Sequence, residues 1–184
     1  MDFTHDTRLS LQALTALVNT RRPDTLTTVV DLDELCARWR WSGSRTHDGA
    51  ELEAVRGVRD RLAGFWGADE QAVVDLINAL LVEGRALPQL VRHDDFDWHI
   101  HAAPPDAPLV VRMLVEYAMA MMDVVRSGEL DRLHYCAADD CDDVVLDLSR
   151  NRSRKYCDSG CGNRSNVAAY RARRRSGSTV AAKT

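Results

Sequence analysis

Four cysteines fall within 26 residues as two close pairs, Cys136-x4-Cys141 and Cys157-x3-Cys161, with fifteen residues between the pairs. A spacer of three or four residues lets both sulfurs of a pair curl onto one ion, and the fifteen-residue segment lets the chain leave and return. Zinc accepts four thiolates tetrahedrally with sulfur about 2.3 Å from the metal, and such a closed set leaves no position for substrate. Soft thiolates favour zinc over hard cations, while iron fits the same ligands as zinc. In a cytosolic chain, thiols stay reduced, so clustered cysteines point to metal and not to disulfides. A module of some 45 residues is too small to fold on burial alone, so ligation must supply the missing stability. The expectation is one structural zinc held by Cys136, Cys141, Cys157 and Cys161. The fifth cysteine, Cys36, lies in an apolar helical pattern and reads as a small core residue.

The charge is divided along the chain. Before Arg150 there are 14 Lys and Arg against 27 Asp and Glu, and from Arg150 onward 10 against one, so a body near −13 carries a tail near +9. An acidic body with a basic tail is the pattern of a protein that meets a polyanion at one place. No apolar run reaches the length that spans a bilayer, and Met1 to Asp6 carries two acids and no apolar stretch. A cytoplasmic protein without membrane contact is expected.

The body reads as mainly helical. Leu11, Leu14, Leu17 and Val18 share one face of a first helix that ends before Pro23, with Asn19 as its C-cap. A second helix is expected over 31–41 with Asp31 as N-cap, and a third over 51–66 with an apolar stripe from Leu52 to Trp66. A fourth over 68–83 places Gly84 where a C-cap glycine belongs. The period then changes. Residues 90–101 alternate about Asp94-Asp95, which predicts a β-hairpin with Phe96, Trp98 and Ile100 inward and Asp97, His99 and His101 on a solvated face. After the proline-rich turn at 104–108 comes a long helix over 109–126, rich in methionine that fills core gaps.

The metal ligands are followed by a basic segment. Asn163 or Ser165 is placed to cap a helix over 166–175, which carries Arg171, Arg173, Arg174 and Arg175. With Arg150, Arg152, Arg154, Lys155 and Arg164, these are the candidate phosphate contacts, and one or two of the nine are expected to offset the net −2 charge of a zinc tetrathiolate. His134, two residues before the first ligand, is not needed as a fifth. No Ser-His-Asp order, phosphate-cradling glycine loop or paired carboxylates stand out, so an enzyme is not expected.

The run Cys161-Gly162-Asn163-Arg164, with 133–141 and 147–157 before it, resembles the CGNR zinc-finger family of bacteria. The Leu14-to-Thr20 run, the helical segments and the 88–101 hairpin look like the ABATE domain that accompanies it. The resemblance implies a stress-induced transcription regulator: a DNA-binding zinc finger joined to a domain that could sense a small-molecule effector. The expected architecture is α+β, with a mainly helical domain over 1–128, a zinc module over 130–175 and a disordered tail over 176–184. A homodimer is open to such a regulator, since a two-fold protein reads a palindromic site. The competing reading is an adaptor whose zinc module docks a protein or an RNA.

Overall fold

The computed structural model describes residues 3–92 and 98–180, and beyond Arg171 the side chain of Arg173 alone. Five helices come first: α1 (His5–Asn19), α2 (Val29–Arg38), α3 (Gly49–Gly57), α4 (Arg59–Ala63) and α5 (Glu70–Glu83). A hairpin of β1 (Gln89–Val91) and β2 (His99–His101) leads to the long α6 (Leu109–Arg126). A single 3-10 turn then precedes β3 (Leu133–Tyr135), β4 (Val144–Leu146) and α7 (Cys161–Val180). Both strand pairs are antiparallel, with Leu90 opposite Ile100 in one and His134 opposite Val145 in the other. Helices with two small two-stranded sheets make an α+β architecture.

The core forms around α6, whose Leu109, Met113, Tyr117, Met121 and Val124 are fully buried against α1, α3 and α5. Leu11, Leu14, Leu17 and Val18 of α1 close the other side as the sequence predicts. Thr4 caps α1 by accepting from the Thr7 amide, and the Thr7 hydroxyl donates to Asp123 of α6 at 2.8 Å. Cys36 is buried in this core, and desolvation pushes its thiol up to about 11.

Several local expectations are corrected. Helix α2 begins at Val29, because Thr28 is its N-cap and Asp31 is the third helical residue that completes a reciprocal capping box. The stripe from Leu52 to Trp66 is buried as predicted except for Val58, which is half-buried, and the helix breaks at that residue between α3 and α4. Arg59 follows the break and folds inward to donate to the Thr20 carbonyl and to Asp24. The α1 C-cap is Thr20, while the Asn19 side chain is used elsewhere.

The hairpin presents the opposite face from the one predicted. Trp98 and Ile100 are 61% and 45% exposed, whereas His99 and His101 are half-buried against the body. Alternation assigns residues to two faces without saying which is inward. Here the inward face lines a cavity and not an apolar core, so polar residues occupy it. Phe96 and Asp97 lie outside the described residues.

Gly84 ends α5 in ordinary right-handed geometry, φ −74°, and Arg85 after it takes the left-handed conformation. The glycine is required for space: a Cβ built there would collide with the Val115 side chain on α6. An exchange of helical glycine for alanine ordinarily stabilises by up to about 1 kcal/mol. Gly84→Ala should instead destabilise by about 1–3 kcal/mol in chemical denaturation, as an overpacked contact does. A gain in stability would show that α5 and α6 are not packed this closely.

Candidate metal centre and basic helix

Strand β4 sits on two cores at once. Val144 and Leu146 point into the main core with Leu133, while Val145 between them packs with Cys136, Cys157 and Cys161. This alternation fixes the metal centre against the helical body. The first ligand follows β3 directly, and its amide donates to the Asp143 carbonyl at 2.8 Å. The second pair is brought across by the Ala137 amide, which donates to the Lys155 carbonyl at 2.9 Å. Between Cys157 and Cys161 the chain turns at Gly160, whose φ of +83° only glycine adopts readily. That turn lets a three-residue spacer close.

The four thiol sulfurs lie within 4.8 Å of one another. Cys157 and Cys161 are 3.5 Å apart, and Cys141 and Cys157 are 3.7 Å apart. Four sulfurs placed tetrahedrally at zinc's bond length stand about 3.8 Å from each other. The spacing and the donor set therefore fit one tetrahedral zinc. Around it, the Cys157 amide points at the Cys136 sulfur, and the Arg164 guanidinium lies 3.1 Å from the Cys161 sulfur and 3.4 Å from Asp140. Arg164 is thus the basic residue that offsets the thiolate charge.

The loop between the cysteine pairs is organised by acids. Asp147 is buried and accepts the amides of Ser149 and Arg154, each at 2.8 Å. Burial works against its charge, but these donors hold its carboxyl below the usual range. Arg132 donates to Glu129 at 2.6 Å and to the carbonyls of Asp147 and Ser149. His134 Nε2 donates to the Arg154 carbonyl at 2.8 Å, so that nitrogen is not turned to the metal.

Comparison with known families agrees with this geometry. Residues 132–174 match the CGNR zinc finger, and residues 11–128 match the ABATE family, described as "Putative stress-induced transcription regulator". The second match spans well over half of the chain. The chain belongs to the ABATE family. No curated protein matches it. In this ABATE protein the CGNR run supplies the last ligand, Cys161, the close-packed Gly162 beside the Tyr156 ring, and Arg164 at the thiolates. The four cysteines hold one structural zinc.

The basic residues predicted to face a polyanion divide in two. Arg152 pairs with Glu129 at 2.7 Å and with Asp131, and Arg154 bonds the Tyr156 carbonyl and Asp158. With Arg164, these three are tied to acids of the module, although Arg152 and Arg164 themselves remain exposed. Arg150, Lys155, Arg171 and Arg173 are exposed. Arg174 and Arg175 belong to α7, but their side chains lie outside the described residues. Helix α7 itself starts at the ligand Cys161, earlier than the predicted caps Asn163 and Ser165, because the ligated turn begins it. It continues to Val180, into the stretch where the sequence suggests a disordered tail, since no proline stops it; residues 181–184 lie outside the described residues.

Three residues that join the module to the ABATE body escape a sequence reading. The Asn19 amide side chain makes a two-way bond with Val144, donating to its carbonyl at 2.9 Å and accepting its N–H at 2.8 Å. The Trp66 indole donates to the Val145 carbonyl at 3.0 Å, and the Tyr135 hydroxyl donates back to the Trp66 carbonyl at 3.2 Å. Only the position of Asn19 at the end of an apolar helix hints at such a use. No helix among the described residues is long and apolar enough to cross a membrane.

Proposed function

We propose that this protein is a transcription regulator that binds duplex DNA through α7 and the loop before it. The observation that carries the reading is that α7 begins at a zinc ligand buried to 1% exposure, while most of its described residues after that ligand are exposed. The metal therefore sets the direction of a helix about 30 Å long, rigid at its root. Its arginines at 171, 174 and 175 follow a three- and four-residue spacing and share a side of the helix. A single helix of this kind fits the major groove, about 12 Å wide. Arg150 and Lys155 lie on the loop before it, exposed, where they would position the helix on phosphates without reading bases. The zinc is structural in this reading, and the protein is not an enzyme.

Titration of a fluorescent 20-base-pair duplex of mixed sequence at two salt concentrations tests the proposal. With about four phosphates neutralised, affinity should fall roughly 100-fold between 50 and 200 mM salt. Arg171→Ala, Arg174→Ala and Arg175→Ala together should reduce the salt slope by about two to three units with zinc content unchanged. Absence of binding at the lower salt would leave the adaptor reading in its place.

A further inference from the structure

A cavity of about 590 Å³ opens on the helical domain, far along the chain from the zinc ligands. Its walls come from the first half of α1, the turn after α2, the inward face of the β1–β2 hairpin and the first half of α6. Two carboxyl groups line it, Asp6 from α1 and Glu116 from α6. Neither receives a hydrogen bond from any described residue, and the charge of Asp6 bears on Glu116. The buried guanidinium nearby does not relieve them by contact. Arg112 is spent on the carbonyls of Ser42, Ser44 and Ala107, and so pins the turn that carries the cavity wall.

The remaining walls are apolar and aromatic. Trp39 and Trp41 face the same space. Arg38 lies over the Trp39 ring at 5.2 Å, and Trp41 packs edge-on against the buried Tyr117 at 5.5 Å, so both indoles are held in place. On the hairpin side the Nε2 atoms of His99 and His101 meet at 2.9 Å, where one must donate and the other accept. A desolvated carboxyl on Glu116 and a second, half-buried one on Asp6, neither with a donor among the described residues, stand beside fixed indoles and are complementary to positive charge on an apolar body.

We propose that this cavity binds a small organic cation, a protonated amine with an aromatic or aliphatic body, its ammonium between Asp6 and Glu116 and its body against Trp39 and Trp41. An ammonium supplies three donors to carboxyls that have none among the described residues, and the indole faces add cation–π attraction. The proposal goes beyond the DNA-binding reading and does not depend on it. An anionic ligand is the opposing possibility, since Arg40 and the histidine pair also line the cavity.

Glu116 gives the binding a signature. Burial pushes its carboxyl up to about 7, Asp6 adds to the push, and Arg112 opposes it. A cation selects the ionised form, so its affinity should rise with pH through that value. Facing groups that also carry or gain charge are Asp6 on α1, Arg40 after α2, His99 and His101 on β2, and Arg112 on α6 itself. Replacing Glu116 separates its part from that of the histidines.

The test is titration of the full-length zinc-loaded protein, without DNA, with 2-phenylethylamine, cyclohexylamine and phenylacetate, read by tryptophan fluorescence and calorimetry. The amines should bind, about tenfold more tightly at pH 8 than at pH 6 as Glu116 ionises. Glu116→Gln should lose about tenfold at pH 8 and flatten the pH dependence, and Asp6→Asn should weaken binding while keeping the slope. Phenylacetate binding as tightly as the amines would overturn the proposal. So would absence of amine binding at millimolar concentration, or a pH dependence that survives in Glu116→Gln. Because DNA is absent from the titration, none of these outcomes bears on α7.

Discussion

Cys157→Ser should reduce zinc from one per chain to a small fraction of that, and should loosen residues 137–160 and α7 while α1–α6 stay folded. The magnitude follows from the metal's share of the module's stability. Zinc ligation in small modules amounts to about 10–16 kcal/mol of apparent binding energy at neutral pH, and most of it depends on the complete ligand set. Apart from the residues it shares with the body, the module has, among the described residues, a cluster of Cys136, Val145, Cys157 and Cys161 with three partly buried neighbours. That cluster is mostly the ligands themselves, so without metal little apolar contact remains. Strands β3 and β4 should persist longer than the rest. Leu133, Val144 and Leu146 belong to the main core, and Asn19 and Trp66 bond the β4 backbone. Metal analysis with limited proteolysis reads both parts, with new cleavage expected between 137 and 160. A variant retaining a full equivalent of zinc would mean that another set of ligands suffices.

The sequence and the structure agree best where one physical demand dominates. Four thiolates that must meet on one ion leave few ways to place Cys136, Cys141, Cys157 and Cys161, and their spacing alone identifies them. The long apolar period of α6 is equally decisive, because a helix buried on most sides needs an apolar residue at nearly every position. The hairpin shows the limit. Period two separates His99 and His101 from Trp98 and Ile100, but inward normally means apolar, and here the inward face borders a cavity that needs polar groups. Arg152 and Arg154 show another. A run of arginines reads as a surface for a polyanion, yet their partners Glu129 and Asp131 lie more than 20 residues earlier, and Asp158 is the one acid in the basic segment. Pairing across such distances is set by tertiary contact, which composition does not encode. Asn19 is the same case in miniature, since its partner Val144 is 125 residues away.

Arg132→Met should produce a large loss of stability while leaving the metal ligands intact. Arg132 and Glu129 have side chains only 10% and 9% exposed, and the guanidinium also satisfies the carbonyls of Asp147 and Ser149. Removing one member of a buried pair leaves the other charge without compensation, at a cost of about 3–5 kcal/mol. Arg152 still reaches Glu129 at 2.7 Å, but it is 46% exposed and screened, so the loss should fall near the lower end, about 3 kcal/mol. For a chain of this size that corresponds to a melting temperature lower by roughly 6–12 °C. The double change Arg132→Met with Glu129→Leu should recover much of it, because no stranded carboxylate remains. The two effects should therefore be far from additive in a double-mutant cycle. Zinc content should be unchanged in both variants, which separates this junction from the metal centre. If Arg132→Met melts with the parent protein, or if the second change only adds to the loss, the pair does not clamp the loop to the end of α6. The arginine-rich segment would then owe its position to the zinc alone.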